Sequence, residues 1–288
     1  MSNTNAADRY WVDAQPYRSL DPGLRALHYG DGLFETLRVE GHSIAYLDRH
    51  LQRLRAGCER LQLDFDDWHG LEAELLACAA GQPGTAVIKI ILSRAAGTRG
   101  YRYGKEQGVT RIVGVHPSVA LPSAYSRDGV RVRLCQLRLA SQPRLAGIKH
   151  LNRLEQVLAR AEWGDEYEEG LLLDYNERLV EGTMSNLFLV RDGCLSTPRL
   201  DHCGVAGVMR AVLLELAAEL GLETQVQRLN TDDLEGADEV FLCNSLIGVW
   251  PVNAVADQFS YPVGSVTRKL QRALAAQDTS RPGNWVSE

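Results

Sequence analysis

Gly147-Ile148-Lys149-His150-Leu151-Asn152-Arg153-Leu154-Glu155-Gln156 sets one of the four lysines of this chain between an expected strand and a helical run. Thirty-two residues beyond that lysine stands Glu181, in Leu179-Val180-Glu181-Gly182-Thr183-Met184-Ser185-Asn186-Leu187-Phe188. A lysine amine can form a Schiff base, and a carboxylate can keep a pyridine nitrogen protonated. Those two groups are the minimum equipment for pyridoxal phosphate chemistry. The plain alternatives are a surface lysine at a helix start and a turn glutamate, and spacing alone does not decide between them. Lys89, in an apolar strand, competes for the role of Lys149. Lys105, in a loop rich in glycine and tyrosine, and Lys269, in a terminal helix, are expected to face solvent.

Composition narrows the class. At 288 residues the chain can form one large domain or two moderate ones. A formal charge of -6 argues against a dominant non-specific nucleic-acid surface, while a local basic patch can still hold an anion. The first ten residues lack the basic-then-apolar order of a secretory signal, and no run is long and apolar enough to span a bilayer. The expectation is a cytoplasmic protein with neither nucleic acid nor membrane as partner. The six cysteines, Cys58, Cys78, Cys135, Cys194, Cys203 and Cys243, are scattered without a CxxC pair, and the histidines have no metal spacing, so no metal is assigned.

Periodicity outlines an α/β (α+β) chain. Residues 33–39 suit a strand, with a turn at Glu40-Gly41 and a return over 43–47. Leu47, Leu51, Leu54, Cys58 and Leu61 recur at helical spacing and carry Arg49, Arg53 and Arg60 with them. A helix over 67–80 and strands over 86–93 and 109–115 follow. Proline, serine and glycine between 117 and 128 mark the best linker. The reading is therefore a first domain over 1–118, a linker over 119–128 and a second domain over 129–288. In the second, strands are expected at 130–137, 171–174, 178–181, 186–190, 194–196 and 239–243, with helices at 152–161, 208–220 and 266–275. The tail from Gln277 is polar and reads as mobile.

Several stretches suit anions. Arg53 presents a fork of donors that matches a phosphate, or lies on a solvated helix face. Gly204-Val205-Ala206-Gly207-Val208-Met209-Arg210 runs into a helix whose first amides, near Val208 and Met209, can cradle an anion. Asn244-Ser245-Leu246-Ile247-Gly248 follows a strand and adds the Ser245 hydroxyl and nearby amides. Between Arg94 and Arg102 a small-residue loop carries Arg94, Arg99 and Arg102, a clamp for a substrate with more than one carboxylate or simply a solvated loop. Asp31 and Glu35 are a conceivable carboxylate pair for glycoside chemistry, but nothing fixes their separation.

Taken in order, these words resemble the fold-type IV pyridoxal phosphate enzymes, which include branched-chain aminotransferases, D-amino acid aminotransferases and 4-amino-4-deoxychorismate lyase. His28-Tyr29-Gly30-Asp31-Gly32-Leu33-Phe34-Glu35, His50-Leu51-Gln52-Arg53-Leu54, the Lys149 phrase and the Glu181 phrase carry the likeness, which spans about Trp11 to Ala275. The Lys149 phrase and Ser93-Arg94 with Arg99-Gly100-Tyr101 look most like the aminodeoxychorismate lyase version. Leu154 stands where branched-chain enzymes carry a tyrosine. The resemblance implies a small N-terminal α/β domain and a larger domain with a barrel-like β core, with pyridoxal 5'-phosphate between them. It makes Lys149 the Schiff-base lysine, Glu181 the partner of the pyridine nitrogen and Arg53 a phosphate ligand. Val208, Met209, Ser245 and Leu246 would surround the phosphate, and Arg99 and Arg94 would hold substrate carboxylates. It implies a homodimer that converts 4-amino-4-deoxychorismate, supplied by aminodeoxychorismate synthase, to 4-aminobenzoate and pyruvate for folate synthesis. The alternatives are a D-amino acid or branched-chain aminotransferase on the same fold and, in another class, a catalytically silent binding protein.

Overall fold

Leu33, Glu35, Leu37 and Val39 are buried while Phe34, Thr36 and Arg38 are half-buried, so the first long strand has a core face with one carboxylate set into it. That carboxylate is why the alternation of 33–39 looks weak in sequence. The computed structural model describes residues 9–17, 19–97, 99–104 and 107–278, and forms two compact units. Lys105 and the polar tail beyond 278 lie outside the described residues.

Unit 1 comprises Met1–Val119 and Ile148–Asn152. Its antiparallel sheet holds β1 (Arg9–Val12), β2 (Gln15–Pro16), β3 (Gly32–Glu40), β4 (Ser43–Ile44), β5 (Ala86–Arg94) and β6 (Val109–Pro117), in the order β2-β1-β6-β5-β3-β4. Helix α1 (Arg25–Tyr29) packs near β5. Helix α2 (Leu47–Leu61) has the predicted bounds and packs on β3, burying Leu51, Leu54 and Cys58. Helix α3 (Trp68–Ala80) starts where the Asp67 carboxylate accepts the Gly70 N–H and packs on β4 and β5.

Unit 2 comprises Ala120–Gly147 and Arg153–Glu288. Its chain order is α4 (Ser123–Asp128), β7 (Val130–Leu139), α5 (Leu154–Arg160), β8 (Glu169–Asp174), β9 (Arg178–Gly182), β10 (Asn186–Arg191), β11 (Cys194–Pro198), α6 (Val208–Glu219), β12 (Thr224–Gln227), β13 (Leu229–Asn230), α7 (Thr231–Glu235), β14 (Glu239–Asn244), β15 (Gly248–Val255), β16 (Phe259–Ser260) and α8 (Ser265–Asp278). The sheet runs β12-β11-β10-β14-β15-β7-β8-β9-β13, with β16 on β15. β9 also packs against β10 and β11, far along that order, so the sheet curls into a nearly closed barrel. Val132, Leu171, Leu187, Leu242 and Trp250 belong to one of its cores. Asp192 and Gly193, both at positive φ, make the expected tight turn between β10 and β11.

Three features differ from the sequence reading. Residues 148–152 depart from the expected second domain and pack with unit 1, because their backbone pairs with β3. The expected linker contains α4, which packs on β15, with the Tyr125 and Trp250 rings edge to face at 5.1 Å. Finally, β15 crosses the middle of the sheet although it contains Pro251; pairing with β7 begins only at Val252, beyond the proline.

Candidate active site

In unit 1, the Phe34 N–H donates to the Lys149 carbonyl at 2.9 Å and the Leu151 N–H to the Gly32 carbonyl at 3.0 Å. Residues 149–151 thus run antiparallel beside the start of β3, which fixes the backbone that carries Lys149. Its half-buried side chain brings Nζ to 4.4 Å from the centre of the Phe34 ring. Lys89, exposed on β5, reaches 5.3 Å from the same ring. Lys269 instead donates to the Leu220 carbonyl at 3.1 Å.

Arg53 lies on α2 against β3. Its Nε donates to Glu35 Oε1 at 2.8 Å and its Nη2 to Oε2 at 2.6 Å, a two-pronged pair. His50 Nδ1 is 2.7 Å from Oε2. Burial works to raise the Glu35 carboxyl, but the Arg53 charge and the hydrogen bonds from His50 and Arg53 outweigh it and hold it down at about 2. An ionised, fully engaged Glu35 is a structural anion rather than half of a glycosidase pair. Asp31 is likewise engaged, by Arg25 Nε at 2.7 Å and Arg94 Nε at 3.0 Å.

Those contacts correct the expectation for Arg94. It is buried, its Nη1 and Nη2 donate to the Gln62 and Leu61 carbonyls at 2.9 and 2.8 Å, and its guanidinium stacks on Tyr103. Arg94 ties β5 to the end of α2, and its donors are spent on protein acceptors, so it leaves the set of carboxylate-binding candidates. Arg99 stays exposed. The backbone next to it is held by buried Arg25, which donates to the Gly100 and Tyr101 carbonyls at 2.9 and 3.3 Å.

In unit 2, Glu181 is buried near the end of β9 and accepts the Val205 N–H at 2.8 Å. Gly204, at φ +83°, lets the chain turn beside that carboxylate; a side chain there would press on Val180, Leu200 and Glu181. Gly147 and residues 204–206 are mutually bonded, Gly147 N–H to the Gly204 carbonyl at 2.8 Å and Ala206 N–H to the Gly147 carbonyl at 3.0 Å. Asn186 donates to the Val205 carbonyl at 2.9 Å. Helix α6 then begins at Gly207 with no side-chain cap. The first intrahelical bond comes from the Ala211 N–H, so the helix itself does not use the amides of Val208 and Met209. These amides are of the kind that can hold an anion, and the loop leading to them is tied through Val205 to the buried Glu181 carboxylate.

The expected role of the Leu246 amide is altered. Asn244 Oδ1 accepts the Leu246 and Ile247 amides at 2.8 and 2.9 Å, while Asn244 Nδ2 donates to the Met184 carbonyl at 3.0 Å. Asn244 therefore shapes the loop that carries half-buried Ser245 and links it to the 183–185 turn. Glu169 organises that turn from below, accepting the Thr183 and Met184 amides and the Ser185 hydroxyl at 3.0, 3.1 and 2.8 Å. Sequence reasoning missed Glu35, Arg25, Glu169 and Asn244 as site-shaping residues. For Glu35 a signal existed: it shares strand parity with Leu33, Leu37 and Val39, which predicts a carboxylate on a core face.

The profile described as Amino-transferase class IV matches residues 32–255. Aminodeoxychorismate lyase of Vibrio harveyi is 38% identical over 269 residues, 92% of this chain and 99% of that protein. The crystal structure of 4-amino-4-deoxychorismate lyase from Pseudomonas aeruginosa is similar at a TM-score of 0.89 and 50% identity, covering 93% of this chain and 98% of that one. A branched-chain amino acid aminotransferase structure from Escherichia coli gives 0.81 and 26% identity, over 92% and 93% of the two chains.

Proposed function

The chain belongs to the class IV aminotransferase family, the fold-type IV pyridoxal phosphate enzymes, and we propose that within it this protein cleaves 4-amino-4-deoxychorismate to 4-aminobenzoate and pyruvate. The observation that carries this reading is the 50% identity to the Pseudomonas lyase along 93% of the chain, against 26% to the aminotransferase.

The residues present fit the cofactor chemically. The Lys149 amine can take its aldehyde, the buried Glu181 carboxylate its pyridine nitrogen, and Arg53 with the uncapped amides of Val208 and Met209 its phosphate. The half-buried Ser245 hydroxyl could join them. When bound, pyridoxal phosphate offers an aldehyde to the substrate amine and a protonated ring that accepts electrons. The Lys149 amine would take the proton from the substrate carbon that bears nitrogen. The carbon–oxygen bond to the enolpyruvyl group then breaks, the six-membered ring becomes aromatic, and the leaving enol gains a proton at carbon to become pyruvate. Glu181 would hold a proton on the pyridine nitrogen, and Arg99 would meet a substrate carboxylate.

The active unit is a homodimer in this proposal. Leu154, Val157 and Leu158 stand on one face of α5 at 74%, 61% and 60% exposure, an apolar stripe suited to cover by a second copy. An enzyme that builds the 4-amino substrate, of the aminodeoxychorismate synthase type, must act before this one.

The test is 4-aminobenzoate fluorescence together with pyruvate release when purified protein receives enzymatically generated 4-amino-4-deoxychorismate. Cofactor-loaded protein that makes neither product defeats the lyase reading. The similarity of the aminotransferase fold over 92% of the chain then makes a screen of D- and branched-chain amino donors, read by keto-acid release, the next step.

A further inference from the structure

We infer that Glu35, supported by His50, is a positioning residue that sets the guanidinium of Arg53 to receive the phosphate of the cofactor. The inference rests on the assignment of Arg53 as a phosphate ligand.

Glu35 occupies a position where a leucine would extend the Leu33, Leu37 and Val39 stripe, and it is only 1% exposed. A buried ion pair is generally no more stabilising than apolar packing of the same volume. A carboxylate there therefore calls for a reason beyond holding β3 to α2. Its geometry supplies one. His50 and Arg53 are three residues apart on α2 and so share a face. Together they occupy both Glu35 oxygens, with Arg53 using its Nε and Nη2 edge. Because a guanidinium is planar, gripping that edge fixes the plane and directs the Nη1 side away from Glu35. Glu35 is ionised at neutral pH, so His50 Nδ1 must donate to it, and the buried His50 Nε2 has no partner among the described residues. The imidazole thereby fixes the carboxylate, and the carboxylate fixes the arginine.

Charge and orientation make opposite predictions here. Glu35 places a negative charge next to the arginine that is to meet a phosphate. On charge alone, Glu35→Gln should tighten phosphate binding. If orientation dominates, the same change should weaken it, because a free arginine side chain must be ordered when the ligand arrives.

The experiment strips the full-length protein of cofactor and titrates it with pyridoxal phosphate and with pyridoxal, following absorbance of the bound ligand. Glu35→Gln and Glu35→Asp should weaken pyridoxal phosphate binding by about tenfold to hundredfold, by analogy with the loss when residues that orient metal ligands are removed. Pyridoxal, which lacks the phosphate, should bind as it does to wild type. Arg53→Gln should show the same selective loss, and adding Glu35→Gln to it should cost nothing more. Unchanged or tighter pyridoxal phosphate binding in both Glu35 variants, with Arg53→Gln selectively impaired, overturns the positioning role alone. Equal losses for both ligands in the Glu35 variants also overturn it, leaving a purely structural pair. Equal losses in Arg53→Gln overturn the Arg53 assignment first, and the inference with it. If Glu35→Gln does not fold, Glu35→Asp, which keeps the charge one methylene further back, decides by the same titration.

Discussion

Lys149 and Lys89 both approach the Phe34 ring, at 4.4 and 5.3 Å, so the choice of Schiff-base lysine belongs to the residue scale. Borohydride reduction of the holoenzyme followed by peptide mass mapping should place the cofactor adduct on Lys149; an adduct on Lys89 would reverse the assignment. Lys149→Ala should cost turnover about 10²–10⁴-fold or more, as expected for loss of a positioned acid–base group. Glu181→Gln should fold and bind cofactor yet lose most turnover, and near-normal turnover would contradict its role. Glu35 gives a pH prediction. Its folded carboxyl sits at about 2, below the ordinary value near 4.3, so its stabilising contribution is full above that ordinary value and is lost as pH falls towards 2. The stability gap between wild type and Glu35→Gln should therefore shrink through that acid window in denaturant titrations; a gap independent of pH would refute it. Lys149 and Glu181 can be proposed from sequence because each sits inside a distinctive local phrase. The Glu35 network was not read, because its partners lie 15 and 18 residues away on another element.

At the scale of elements, legibility followed the kind of contact that defines each one. Helix α2 was readable to both ends, since apolar spacing of three and four reports burial of one face. β15 was missed because a proline discourages a strand reading, and only its neighbours β14 and β7 reveal that the ladder accommodates it. The start of α6 was seen as a glycine-rich entry to a helix, but its close contact with Asn186 was not. A side chain at Gly207 would run into the Asn186 amide, which itself holds the Val205 carbonyl. Gly207→Ala should thus destabilise the protein by about 1–3 kcal/mol, the usual cost of overpacking. Calorimetry should show a lower Tm, and cofactor titration a weaker complex; an unchanged Tm would mean that Asn186 moves aside freely.

On the scale of the whole molecule, the chain does not divide into two consecutive halves. It leaves unit 1 after Val119, returns for Ile148–Asn152, and leaves again. A proline- and serine-rich stretch near 119 has the composition of a linker, whereas the return of 148–152 leaves no mark in sequence, because five residues bear no domain-scale pattern of their own. The exposed stripe on α5 belongs to this scale too. If this stripe is the face of the proposed homodimer, Leu158→Glu should leave the protein monomeric in sedimentation velocity where wild type is dimeric, because it would bury an unpaired charge between the copies. An unchanged dimer would place the second copy elsewhere.

By itself, the sequence determined the family, the α/β class and most helix and strand positions, and it supplied the lysine and carboxylate proposed to carry the chemistry. These are properties of local order: apolar periodicity, turn residues and contiguous motifs are written within a few residues of one another. Only the tertiary structure decided that Arg94 is a buried strut, that Asn244 takes the Leu246 amide, and that Glu35 grips Arg53. Those outcomes depend on which acceptors come within about 3 Å of each donor. That is a question of packing between distant segments, and no local pattern encodes it.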